Sequence, residues 1–167
     1  LVVLLTVLAL PRVVHAQSSV FIEDLTWEEV AAALKAGKTT ALIYTGGAEQ
    51  NGPHLAFGKH NAVARSLSER IAKELGNALV YPTMPFAPTS DPSVRAGLME
   101  FPGTIHVSEQ AYGLIARDVA LSAIGTGFKN VLLMSDHGGG GQEALKRVAL
   151  ELDGLYKPKG IRVVYIP

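Results

Sequence analysis

The sequence predicts an α/β domain of three layers: a mostly parallel β-sheet covered by helices. Two observations carry that prediction. Short apolar or β-branched runs alternate along the chain with stretches whose apolar residues recur at helical spacing, which is the pattern of βαβ units. Glycine or proline closes most of these runs. The same architecture has a consequence for function. Right-handed crossovers bring the C-terminal ends of all parallel strands to one edge of the sheet, where sites in such folds lie.

Each element has its own local reason. Val20-Phe21-Ile22 sits in a short lead-in, and Thr26-Trp27-Glu28-Glu29 is a capping box that starts a helix running to about Ala36. Leu25 and Val30 supply the hydrophobic staple, and Gly37 the left-handed stop. Thr39 to Thr45 is β-branched and apolar, hence a strand. Val63, Leu67, Ile71 and Leu75 predict the buried face of a helix over 62–75, ended by Gly76. Ala78-Leu79-Val80-Tyr81 is the next strand, and Pro82 stops it. The Pro- and Gly-rich stretch 82–103 is long for a connection, and loops of that kind are often functional. Ser108 caps a helix to about Thr126, whose buried face draws on Leu114, Val119, Leu121 and Ile124. A third strand spans 130–135. A helix over 142–156 follows on the pattern Leu145, Val148, Ala149, Leu152, Leu155, and a fourth strand spans 161–166.

Length and composition narrow the function classes. A chain of 167 residues suits one domain, and 48% hydrophobic residues can fill a core. Basic and acidic residues number 15 each, which argues against a nucleic-acid binder held by a broad basic face. Cysteine is absent, so any transition metal must be held by His, Asp or Glu. Leu1 to Leu10 is almost wholly apolar yet too short to span a bilayer, and Val14-His15-Ala16 offers small residues at signal-peptidase spacing. Residues 1–16 are therefore expected to be a signal peptide without its basic n-region, and residues 17–167 the mature domain, secreted or periplasmic and off the membrane once cleaved. The chain does not begin with Met, and it is expected to be a piece of a longer protein.

The chemistry-bearing residues sit on two loops. Glu49 to His60 is a Gly/Pro-rich loop with a carboxylate and imidazoles after the first strand; Asp136-His137 opens a glycine run after the third. Glu49, His60 and His137 would make a two-imidazole, one-carboxylate set, which suits zinc with a fourth position open to water. A lone loop histidine is usually solvated, and that is the expectation for His54 and His106; His60, just before a helix, is also readable as surface. Gly138-Gly139-Gly140-Gly141 can instead cradle a phosphate, but it lacks the Lys-Ser/Thr ending of a P-loop and the dinucleotide spacing. An oxyanion loop of the esterase kind fails because the chain has no Gly-x-Ser-x-Gly nucleophile.

Three blocks occur together. They are Gly47-Ala48-Glu49-Gln50-Asn51-Gly52-Pro53-His54-Leu55, then Phe101-Pro102-Gly103-Thr104-Ile105, then Gly127-Phe128-Lys129-Asn130-Val131-Leu132 leading to Asp136-His137-Gly138-Gly139. In this order and at these separations, the chain resembles the creatininase (creatinine amidohydrolase-like) family from Phe21 to Pro167. The resemblance implies an α/β fold, bound zinc or manganese, hydrolysis of C–N bonds in small amides other than peptide bonds, and a homo-oligomer, commonly a hexamer. It also implies a further C-terminal segment with catalytic Glu and His residues, which this chain is expected to stop short of.

Residue by residue, the family's metal-bound Glu matches Glu49 and its metal-bound His matches His137. A ligand His of the family falls on Asn51, the bridging Asp on His60, and a Glu on Gly139. The expectation is one ion on Glu49, His60 and His137, with a second in doubt. Asp136 is the nearest candidate for the general base of a metal-activated water, and it is equally readable as orienting His137 or capping the next helix. Arg95 and Phe101, on the long connection, are the expected substrate contacts. The substrate would be a small amide of cyclic or formamide type. The competing expectation is a non-catalytic exported member that binds or oligomerises.

Overall fold

A computed structural model of the chain describes residues 19–138 and 141–167. The expected signal segment 1–16, and Gly139 with Gly140 of the glycine run, lie outside the described residues. The N-terminal capping box forms: Glu29 N donates to Thr26 Oγ1 at 3.3 Å, and Thr26 N donates to Glu29 Oε2 at 2.7 Å. It opens α1 (Trp27–Lys35). Four strands follow in alternation with three helices: β1 (Thr40–Thr45), α2 (Lys59–Leu75), β2 (Ala78–Val80), α3 (Glu109–Thr126), β3 (Asn130–Ser135), α4 (Gly141–Tyr156) and β4 (Arg162–Ile166).

The sheet order is β2-β1-β3-β4, and every pairing is parallel. Thr40 of β1 lies opposite Ala78 on one side and Asn130 on the other. The chain therefore steps from β1 to β2, then returns across β1 to add β3 and β4 on its far side. The winding direction reverses between β1 and β3. A reversal of that kind opens a crevice at the carboxyl ends of those two strands.

The period of two along each strand sorts its residues between two cores. Ala41, Ile43, Leu79, Val131, Leu133 and Val163 face a core shared with α3 and α4, and Val30, Ala33 and Leu34 of α1 join it. Leu42, Tyr44, Ala78, Val80 and Met134 face the other core, with Ala64 and Ala72 of α2. The three layers are thus α1, α3 and α4 on one face, the sheet, and α2 on the other. All six residues of β1 are buried, as a central parallel strand requires. Among the described residues, no helix is long and apolar enough to cross a membrane.

Two buried faces differ from expectation. On α2 the buried stripe is His60, Ala64, Ser68 and Ala72, while Leu67 and Leu75 are exposed. On α3 it is Tyr112, Ala116, Ala120 and Ala123, while Leu114 is exposed. Small side chains let these helices sit close on a sheet of bulky residues, so alanine rather than leucine marks the contact face. Val119, Leu121 and Ile124 only flank the α3 core. On α4 the predicted Leu145, Val148, Ala149 and Leu152 are buried, and Leu155 is not.

The long connection after β2 folds back over the sheet end. Thr45 and Met84 form a parallel bridge, and Gly46 N donates to Met84 O at 2.8 Å. A single turn of 3-10 helix spans Gly97–Glu100 farther along.

Candidate metal centre

The loop after β1 is pinned at both ends of its first stretch. Gly47 N donates to Asn61 Oδ1 at 2.9 Å, so the strand exit is tied to the first turn of α2. The approach is close enough that a Cβ on Gly46 would lie 2.9 Å from the Asn61 backbone, which explains a glycine there. Glu49 N donates to Phe57 O at 3.3 Å, and Ile105 N donates to Ala48 O at 2.9 Å. Gln50 N donates to Thr104 Oγ1 at 3.3 Å. These bonds hold the Glu49 backbone between its own return and the 101–105 segment. The Glu49 side chain is buried.

Helix α2 begins at Lys59, three residues before the predicted start at 62, with Gly58 in the N-cap position. That difference decides where His60 goes. As a first-turn helical residue it heads the stripe of small residues that faces the sheet, and it is buried rather than on the surface. His137 follows β3 and is buried too. Its backbone is held from both sides: His137 N donates to Ser135 Oγ at 3.1 Å, and Gln142 Nε2 donates to His137 O at 2.9 Å.

The three predicted ligands converge. His60 Nε2 lies 3.2 Å from Glu49 Oε1, and His137 Nε2 lies 2.8 Å from Glu49 Oε2. One donor atom from each residue falls within 4.8 Å of the others, a group that can hold a metal ion. On a tetrahedral ion with bonds of about 2.0–2.2 Å the ligand atoms stand roughly 3.5 Å apart, so the set needs only small adjustments to fit.

The donor chemistry makes the same point. His60 Nδ1 lies 3.1 Å from Asp136 Oδ2, so both ring nitrogens of one buried imidazole face carboxylates. A neutral imidazole has one N–H and one lone pair. Whichever nitrogen carries the proton, the other presents its lone pair to a carboxylate oxygen, which is repulsive unless a cation lies between them. The residues present therefore fit a divalent ion held by Glu49, His60 and His137.

The remaining predicted residues are placed as follows. Asp136 turns toward His60 rather than His137, and its other oxygen, Oδ1, is buried without a hydrogen-bond partner among the described residues. Tyr44 shares this neighbourhood: burial pushes its phenol up, and the charge of Asp136 adds to the effect. Asn51 bends back on its own loop, its Nδ2 donating to Glu49 O at 2.9 Å while its Oδ1 accepts from Lys59 Nζ at 2.7 Å. Arg95 is exposed, with a left-handed φ of 45°, and no hydrogen bond or ion pair among the described residues holds its side chain. Phe101 is exposed on the segment that pairs with the Glu49 loop. His54 is exposed, as expected. His106 is half-buried instead, its Nδ1 accepting from Thr89 N at 3.2 Å. Ser135 and Gln142, which anchor His137, were not among the expected site residues. Their signal is local, a hydroxyl two residues before the histidine and the first polar side chain after the glycines.

Fold and site together define a doubly wound α/β protein with a candidate carboxylate–imidazole metal centre at its switch point. The family model for creatininase, described as creatinine amidohydrolase, matches residues 23–165, and the chain belongs to that family. A creatinine amidohydrolase of Pseudomonas putida is 28% identical over 119 residues, covering 71% of this chain and 45% of that protein. A solved structure described as "Creatininase Mn" superposes with a TM-score of 0.74 at 25% identity, over 89% of this chain and 58% of the other. A mutant creatininase of Zn-Zn type superposes with a TM-score of 0.72 at 24% identity, over 89% of this chain and 58% of the other. The chain thus spans about half the length of the relatives it matches.

Proposed function

We propose that this protein is a metal-dependent amidohydrolase that cleaves a C–N bond of a small cyclic amide or formamide. The convergence of Glu49, His60 and His137 from three separate segments onto one buried point carries this reading. Family membership and the name of the curated relative support the bond type. When bound, a divalent ion supplies a Lewis acid that lowers the pKa of its water and polarises the scissile carbonyl.

The chain's own residues supply the rest. Glu49 brings the one negative charge among the three ligands, and His60 and His137 bring neutral nitrogen donors. The backbone anchors at Ser135 and Gln142 fix where His137 aims. Phe57 and Phe101, both exposed on the segments that meet above Glu49, offer apolar surface to a small substrate. Arg95 is proposed as a polar contact on the same long connection. The donor set suits zinc, and the solved creatininase described with Mn supports that ion as well. One ion per chain is the proposed load, because Asn51 is tied to Glu49 O and Lys59. Export and assembly into a homo-oligomer complete the proposal. They are tested by N-terminal sequencing of the mature protein and by light scattering.

The decisive experiment is elemental analysis of the purified protein, followed by an amine-release assay over a panel of cyclic amides and formamides. We expect zinc or manganese near one equivalent, and turnover that a chelator abolishes and added metal restores. A protein that purifies without metal and takes none up sinks the proposal. The engagement of Asn51 favours a second reading, a non-catalytic binding member of the fold. Metal-loaded protein that binds amides without releasing amine would establish that one.

A further inference from the structure

The geometry points to Asp136 as a positioning residue that holds His60 in the tautomer whose Nε2 faces the metal ion; the assignment rests on the metal centre proposed above. Asp136 lies one residue beyond β3, beside His137 in sequence. Its carboxylate nevertheless reaches across to α2, where Oδ2 lies 3.1 Å from His60 Nδ1. That bond joins residues 76 apart in the chain. It is the one hydrogen bond the carboxylate makes among the described residues, since Oδ1 is buried and unpartnered.

A carboxylate only accepts, and His60 faces one at each ring nitrogen, Asp136 at Nδ1 and Glu49 at Nε2. With an ion taking the lone pair at the point where the three ligands meet, the proton is left on Nδ1, where Asp136 accepts it. The lone pair then belongs to Nε2, which lies 3.2 Å from Glu49 Oε1 at the point where the three ligands meet. A ligand histidine commonly has its second nitrogen fixed by a carboxylate in this way, which sets both tautomer and ring orientation. His137 is anchored through its backbone by Ser135 and Gln142. His60 is anchored through its ring by Asp136.

This arrangement argues against Asp136 as the proton acceptor of the reaction. Nδ1 and Nε2 sit on different sides of the ring, so the imidazole lies between Asp136 and the place of the ion. Through the bond from its Oδ2, Asp136 acts on the centre by way of His60. The carboxylate is retained in a half-buried position for that bond.

The test compares the wild type with Asp136→Asn and Asp136→Ala by two measurements. Zinc affinity is read by competition with a chromophoric chelator. The His60 tautomer is read by long-range proton–nitrogen NMR on zinc-free protein at a pH where the imidazole is neutral. We expect Asp136→Ala to weaken zinc binding about 10- to 100-fold and to shift the His60 proton toward Nε2. Asp136→Asn, whose side-chain oxygen still accepts from Nδ1–H, should keep the wild-type tautomer and most of the affinity. A wild-type His60 protonated on Nε2 overturns the assignment without any variant, even if Asp136→Ala fails to fold. So does an Asp136→Ala protein that binds zinc like the wild type. Equal loss of affinity in both variants with the tautomer unchanged overturns it in favour of a charge effect. Absence of zinc binding by the wild type overturns the metal centre instead, and the zinc-free spectrum tells the two failures apart.

Discussion

His137 Nε2 lies 2.8 Å from Glu49 Oε2, although 88 residues separate them along the chain. The contact follows from sheet topology. β1 and β3 are hydrogen-bonded parallel neighbours in register from Thr40↔Asn130 to Thr45↔Ser135, so their exit loops leave the same edge side by side.

Removing either partner of that contact should empty the centre. His137→Ala and Glu49→Gln each delete one of three donors, and each is expected to weaken zinc binding by more than the roughly 100-fold that loss of an outer partner costs. Competition with a chelator measures it. Wild-type affinity in either variant would place the ion elsewhere.

Gly47→Ala tests how tightly the site is packed. An added Cβ would lie 2.9 Å from His137 Cδ2 and 3.4 Å from Nε2, with Ala87 Cβ next at 3.6 Å. The ring is the far end of a side chain, so it should move while the backbone stays. The expected result is metal affinity reduced about tenfold or more, because sites lose function when displaced by roughly 0.5 Å or more. Thermal melting of the metal-free protein should change little, and a large drop there would mean that the backbone gave way instead.

Tyr112→Phe tests the floor beneath the centre. The Tyr112 hydroxyl donates to Thr45 Oγ1 at 2.7 Å, and Thr45 Oγ1 donates to Met134 O at 3.2 Å. Both side chains are buried at no more than 1% exposure, so Thr45 would lose a partner with no water to replace it. Urea denaturation should report a loss of about 1–3 kcal/mol.

Asp153 carries a pH dependence whose sign is fixed. Hydrogen bonds from the Arg162 side chain, then from Val163 N, hold its carboxyl below the ordinary value. A carboxyl depressed in the folded state contributes stability that is complete above its unfolded value, about 3.9, and lost as pH falls through the folded value. Stability of the wild type should therefore decline below about pH 4 more steeply than that of Asp153→Asn, as read by denaturation at a series of pH values. Parallel acid limbs would show that the contact contributes nothing.

Local signals made much of the architecture legible. Thr26 with Glu29 marked a helix start, Gly76 and Gly127 marked helix ends that adopt left-handed φ of 70° and 116°, and Ser108 capped α3 as its hydroxyl suggested. The helix faces were less legible. Hydrophobic periodicity weights bulky residues, so it selected Leu67 and Leu75, whereas close helix–sheet packing selected His60, Ala64, Ser68 and Ala72. The predicted start of α2 fell at 62 for a related reason. Lys59-His60-Asn61 is polar and resembles loop, and only its fit against the strand exit at Gly47 shows it to be helix.

By itself the sequence determined the α/β class, the order of elements, the family resemblance and the three residue types of the centre, because each rests on local pattern or on short blocks of residues. Tertiary structure alone decided how those residues meet. The reversal of winding between β1 and β3 sets Glu49 against His137. The early start of α2 turns His60 inward, and Asp136 crosses to His60 and away from its neighbour His137. Parallel pairing and helix packing join residues distant in sequence, and the spacing of residues along one chain does not encode the distances between its loops.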